Sequence, residues 1–137
     1  MTRLFCLLVL LFSLSGPAMG ENSDFCRSSI AADTGGMTLA DDMAVLRQAA
    51  QGKGNFGVGT ASATDAARLG ESWVGDGYTV ASDGKTLLSS DGLRQFRPPS
   101  LKPNSPYATT GAQANFEWRN VPKGQWQGNG HLNITNP

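Results

Sequence analysis

Glu117, in the run Asn115-Phe116-Glu117-Trp118, and His131, in Gly130-His131-Leu132-Asn133, have the residue types and placement that suit acid–base chemistry. Each sits where polar and apolar residues alternate. Gln113, Asn115 and Glu117 interleave with Ala114, Phe116 and Trp118, and His131, Asn133 and Thr135 interleave with Leu132 and Ile134. This pattern predicts two strands with one buried face, with the carboxylate and the imidazole together on a solvent-facing surface. RNA cleavage without a metal needs a base for the 2′-hydroxyl proton, an acid for the departing 5′-oxygen, and cations on the phosphate. Glu117 and His131 fill the first two roles in either order. Arg94, Arg97 and Lys102 are candidates for the third, arginine being suited to forked bonding of two oxygens. On a regular strand Arg94 and Arg97 point to opposite faces, so both reach a phosphate only if Pro98 bends the strand end. Of the two, Arg97 is preferred.

Plainer readings stand beside this one. A lone His near a C-terminus is often a surface or half-buried residue with a satisfied hydrogen bond. Glu117 beside Arg119 reads equally as a rim ion pair, worth about 0–1 kcal/mol. Trp73, Trp118 and Trp126 read as core or loop anchors before base-stacking platforms. The glycines of GKGNFGVG lack the Gly-Lys-Ser/Thr that closes a phosphate-binding P-loop, and no G-x-S-x-G elbow occurs.

Composition narrows the classes further. A length of 137 residues leaves room for one small domain, and 11 Lys+Arg against 11 Asp+Glu exclude a polybasic nucleic-acid arm. With 2 Cys and 1 His, neither a disulfide scaffold nor a histidine-rich metal site is expected, and no cofactor is implied. Arg3, the apolar run Leu4–Leu14 and the small residues of Ala18-Met19-Gly20 predict a signal peptide over 1–20, cleaved after Gly20. The run is shorter than the roughly 20 residues a bilayer span needs. The mature chain is therefore expected to be exported, periplasmic or secreted, with no stable membrane association. It keeps Cys26 as a thiol that is free or paired with another chain. Charge is uneven: residues 21–83 carry nine acids and four bases, residues 84–137 six bases and two acids. The second half thus offers a positive surface to an anion, or the two patches attract each other across the fold.

The elements that must position these residues follow from periodicity and turn chemistry. Thr38-Leu39-Ala40-Asp41 resembles a capping box, Leu39, Met43, Leu46 and Ala50 follow at helical spacing, and Gly52 stops the run. The glycine-rich GKGNFGVG segment predicts a loop. A second helix opens near Ser62 or Thr64 and ends at Gly75. Tyr78–Ala81, Lys85–Leu88 and Leu93–Arg97 predict short strands, joined by turns at Asp83-Gly84 and Ser90-Asp91-Gly92. Pro98 and Pro99 should end the third, and the stretch around Pro103 and Pro106 should be an ordered surface loop. The fold class is α+β: N-terminal helices, then an antiparallel β-meander.

The blocks ASDGKTLLSSDGLRQFRPPSLKPNSPYATTG, QANFE and NGHLNI, within residues 52–135, resemble the C-terminal toxin tips of secreted bacterial polymorphic toxins. Such tips are carried on haemagglutinin-like contact-dependent growth inhibition proteins and Maf-type adhesins. The resemblance implies a toxin acting on a competing bacterium, usually a nuclease, with a neighbouring immunity protein that neutralises it. Those tips normally end chains of many hundreds of residues, whereas here the signal segment leads almost directly into the tip, which leaves the delivery route open. The organisation is thus a signal peptide over 1–20, a lead and first helix over 21–51, and a toxin-like domain over 52–137.

The expected function is a metal-independent ribonuclease of the barnase-like type. Glu117 and His131 are its acid–base pair, and Arg94, Arg97 and Lys102 hold phosphate. The alternatives are a metal-dependent nuclease using Asp83, Asp91 or Glu117, and a non-catalytic exported binding protein. Two of those acids sit in Asp-Gly turns, where Asp is expected for backbone reasons alone.

Overall fold

The computed structural model describes residues 36–137. The signal segment, most of the lead and Cys26 lie outside the described residues.

Thr38 caps the first helix, α1 (Leu39–Gln51), through a reciprocal capping box with Asp41. After Gly52 the chain enters a strand, β1 (Gly54–Ser62), and Ser62 then caps α2 (Ala63–Val74), accepting from the Asp65 amide. Two short strands follow, β2 (Thr79–Val80) and β3 (Leu87–Leu88), then β4 (Arg94–Leu101), β5 (Ala112–Trp118) and β6 (Gly128–Thr135). Gly84 (φ 74°) and Gly92 (φ 70°) take the left-handed conformation that the turns flanking β3 require.

The α+β class is as expected, but the order of elements corrects the expectation in two places. GKGNFGVG is not a loop. It forms most of β1, which lies between the helices in sequence and pairs in parallel with β6, from Gly54 opposite Gly128 to Ser62 opposite Thr135. The sheet therefore runs β1-β6-β5-β4-β3-β2, with every pair but the first antiparallel. The glycines serve close packing. A Cβ at Gly130 would lie 2.9 Å from the Val58 side chain, and one at Gly128 would lie 2.1 Å from the Trp118 indole nitrogen. Phe56 and Val58 supply the apolar alternation that the glycines obscure. The second correction concerns Pro98 and Pro99, which do not end β4. The strand continues to Leu101 across a register shift between Arg97 and Ser100, a bulge that tolerates residues without backbone donors.

Both helices cover one face of the sheet. Val45 and Ala49 of α1 and Leu69, Trp73 and Val74 of α2 bury against Phe96, Phe116, Leu132 and Ile134. The Phe96 and Phe116 rings stand 5.1 Å apart, and Trp73 meets Phe116 edge-on at 5.9 Å. Trp73 also donates to the Gln95 carbonyl at 3.1 Å, and Trp118 donates to the Gly52 carbonyl at 2.8 Å, tying the end of α1 to β5. Arg68 bridges the helices through ion pairs to Asp42 and Asp65. Among the described residues no helix is long and apolar enough to cross a membrane.

Candidate functional site

The opposite face of the sheet carries the polar residues in three rows. One row crosses β4, β5, β6 and β1 as Arg97, Asn115, His131 and Gly57. The row on one side of it reads Gln95, Glu117, Asn129 and Asn55, and the row on the other side reads Ser100, Gln113, Asn133 and Thr60. The bulge at Pro98-Pro99 makes this possible. In a regular strand Arg97 and Ser100 would face opposite sides, and the extra residue brings both to the polar side.

This face was expected to lie open to solvent, and it does not. His131 is 8% exposed, Glu117 5%, and Gln113 and Asn115 4% each. The 102–111 loop folds over it, held by its own turn hydrogen bonds, among them Lys102 N–H to the Gly111 carbonyl at 2.7 Å. Tyr107 from this loop stacks on the His131 ring, Ser105 donates to Gln113 Oε1 at 2.6 Å, and the Thr110 amide donates to Asn133 Oδ1 at 3.1 Å. The buried side chains are nevertheless polar and, apart from Arg97 Nε, hydrogen-bonded.

Glu117 and His131 share the face but do not touch. Across the antiparallel β5–β6 pair Glu117 opposes Asn129 and His131 opposes Asn115, so the two are diagonal neighbours. Each belongs to its own network. Glu117 accepts from Arg97 Nη2 and from Gln95 Nε2, both at 2.5 Å, which occupies both of its oxygens. His131 Nδ1 lies 2.7 Å from Gln113 Nε2 and 3.0 Å from Asn115 Nδ2, and its Nε2 faces Asn55 Oδ1 at 3.1 Å. Burial of the ring, and secondarily the Arg97 charge, hold the His131 pKa below the ordinary histidine value, so the ring is neutral at neutral pH.

The expected phosphate ligands separate. Arg97 and Lys102 line a cleft of about 150 Å³ beside Asn115, together with Lys85, Thr86 and Ser100. Arg94 does not join them. It lies two residues before Phe96 and so shares that residue's helix-covered side, its guanidinium 5.0 Å from the Trp73 ring centre. Asp83 also borders the cleft, but its carboxylate accepts from the Lys85 and Thr86 amides and the Thr86 hydroxyl. These bonds hold its pKa down at about 2. Asp91 is likewise turned into its own turn, bonded to Ser89 and the Leu93 amide. Among the described residues no three His, Cys, Asp or Glu side chains gather as a metal-ligand group. A concavity of about 490 Å³ between α1, β1 and the start of α2 contains none of the candidate residues.

Sequence reasoning missed Asn55, Tyr107 and Lys85. Asn55 had a signal in the Asn55-Phe56-Gly57-Val58 alternation. Tyr107 and Lys85 reach the site from loops, and no local pattern marks them. The polar face belongs to an α+β domain with a single buried histidine, and comparison with known protein families, curated proteins and solved structures finds no match for the chain.

Proposed function

We propose that this protein is an exported bacterial toxin domain that cleaves RNA without a metal, in the barnase-like manner, and that a cognate immunity protein neutralises it. The observation that carries the reading is the row Arg97–Asn115–His131. It sets a neutral imidazole two strands from an arginine that opens onto a cleft with Lys85 and Lys102. A phosphodiester in that cleft would lie beside Asn115, the cross-strand neighbour of the histidine.

In the proposed reaction a base removes the 2′-hydroxyl proton and the 2′-oxygen attacks phosphorus. The 5′-oxygen leaves with a proton from the acid, and a 2′,3′-cyclic phosphate remains. Arg97 and Lys102 offset the charge that grows on the phosphoryl oxygens. His131 is one proton carrier. Glu117 is the second, and it becomes free to act when a substrate phosphate draws the Arg97 guanidinium away from it, since phosphate and carboxylate compete for the same fork. The metal-dependent alternative is less well supported, because Asp83 and Asp91 are both committed to their turns.

The test is incubation of the purified protein with total bacterial RNA in the presence of EDTA. The expected result is cleavage to products ending in 2′,3′-cyclic phosphate, abolished in a folded His131→Ala variant. Cleavage that stops on chelation, or that persists unchanged in His131→Ala, overturns the proposal.

A further inference from the structure

Four carboxamides from three strands connect the two ring nitrogens of His131. Ser105 Oγ donates to Gln113 Oε1, which turns the Gln113 amino group toward Asn115 Oδ1 at 3.1 Å and His131 Nδ1 at 2.7 Å. Asn115 Nδ2 donates to Asn129 Oδ1 at 2.7 Å and approaches Nδ1 at 3.0 Å. Asn129 Nδ2 donates to Asn55 Oδ1 at 2.8 Å, the same oxygen that faces His131 Nε2 at 3.1 Å. Every amino hydrogen of Gln113 and Asn115 is thereby used, and all the carboxamides run in one direction.

We infer that Asn55, Gln113, Asn115 and Asn129 form a directional relay that fixes His131 as the tautomer with a bare Nδ1 and a proton on Nε2. Two amino groups aim at Nδ1, so a proton there would meet N–H groups with no acceptor. At Nε2 the Asn55 oxygen is an acceptor and requires a donor. None of the amides turns alone, because each oxygen is the acceptor of its neighbour. The relay has one other self-consistent order, with every carboxamide reversed and Ser105 accepting. In that order Nδ1 carries the proton and Nε2 presents its lone pair.

The consequence for catalysis rests on the reading of His131 as a proton carrier. In the order seen here Nε2 donates and cannot take a proton. It becomes a base only on reversal, when Nε2 releases its proton to solvent and Nδ1 takes one from it, with no net change of charge. Asn55 is the exposed end of the relay. A ligand that claims its carboxamide removes the acceptor from Nε2 and frees the relay to turn over. The four amides are positioning residues, and the charged or titratable groups around them include Arg97 from β4, Glu117 from β5 and Tyr107 from the covering loop, with Asp83, Lys85 and Lys102 bordering the cleft beside Asn115.

The test is nitrogen-15 NMR of the histidine-labelled full chain at about pH 8, above the ordinary histidine pKa. The expected spectrum has an unprotonated Nδ1 and a protonated Nε2. Asn115→Asp replaces a donor at Nδ1 with a carboxylate that only accepts, so Nδ1 is expected to become protonated. Gln113→Glu should do the same and serves if the first variant does not fold. A wild-type ring with a proton on Nδ1, a ring averaging both tautomers, or folded variants whose Nδ1 stays bare overturns the relay. None of these readouts uses RNA. A protein that cuts RNA with an Nδ1–H ring therefore refutes the relay alone, and a locked Nε2–H ring in a protein that cuts nothing refutes the ribonuclease alone.

Discussion

Tyr107 lies flat against His131, their ring centroids 4.3 Å apart and their planes 7° from parallel, while its hydroxyl donates to the Asn55 carbonyl at 3.1 Å. One residue thus shields the imidazole and pins the loop to β1. Tyr107→Phe keeps the stacking and loses the hydrogen bond, at an expected cost of about 0.5–1.5 kcal/mol. Tyr107→Ala loses both and opens the ring to water. Its cost should be larger, and the His131 pKa should rise toward the ordinary value because desolvation is the main cause of its depression. Urea denaturation and an NMR titration of the ring check the two effects separately.

The direction of the His131 shift fixes a pH dependence of stability. A depressed folded pKa means that the unfolded chain binds the proton more readily. The contribution of the neutral ring is therefore fully present above the unfolded value of about 6.5 and is lost as pH falls through the folded value. Asp83, held at about 2 by its turn hydrogen bonds, adds a second loss only in strong acid, below the ordinary carboxylate range. Unfolding free energy measured across pH should decline first in the mildly acidic range, and the decline should be shallower in His131→Asn. Equal slopes in the two proteins would contradict the assignment.

Glu117 is a buried carboxylate whose partners are a half-exposed arginine and an amide. Removing the arginine leaves the charge in place with Gln95 alone. Breaking a buried pair costs about 3–5 kcal/mol, and the 43% exposure of the Arg97 side chain puts Arg97→Ala near the lower end. Glu117→Gln leaves no charge stranded and should cost less. Urea midpoints at matched ionic strength rank the two, and the opposite ranking would show that the pair is not what holds this corner of the sheet.

Much of this architecture is legible one segment at a time. Thr38 and Asp41 announce the start of α1, Gly75 ends α2, and Asp83-Gly84 and Asp91-Gly92 turn where their backbone chemistry requires. The alternation in β5 and β6 places Glu117 and His131 on one face without any knowledge of the sheet. What is not legible is non-local. The pairing of β1 with β6 joins chain segments some seventy residues apart, and the glycines that permit it resemble a loop in composition. Because β1 was hidden, so was Asn55. The burial of the polar face depends on a loop whose prolines and small residues have no period, so the covering role of Tyr107 has no sequence signature. Arg94 and Arg97 are separable by strand parity alone, whereas the return of Ser100 to the Arg97 face requires the bulge.

Helix and sheet approach closely at Gly70, in the middle of α2. A Cβ built there would lie 2.3 Å from the Phe96 ring, far inside van der Waals contact, and Phe96 is itself 2% exposed and wedged against Phe116. On an open helix face Gly→Ala would stabilise by improving propensity. At this position it must push α2 off the sheet or drive Phe96 from its rotamer, and overpacking of this kind costs about 1–3 kcal/mol. Gly70→Ala is therefore expected to lower the melting temperature despite the better helix former. Phe96→Leu, which withdraws the ring, is expected to be destabilising by itself through the space it leaves. Combined, the two changes should cost less than the sum of the singles, because the added methyl occupies part of the vacated volume. Thermal unfolding of the four proteins completes the cycle, and strict additivity would mean that helix and ring are not in contact.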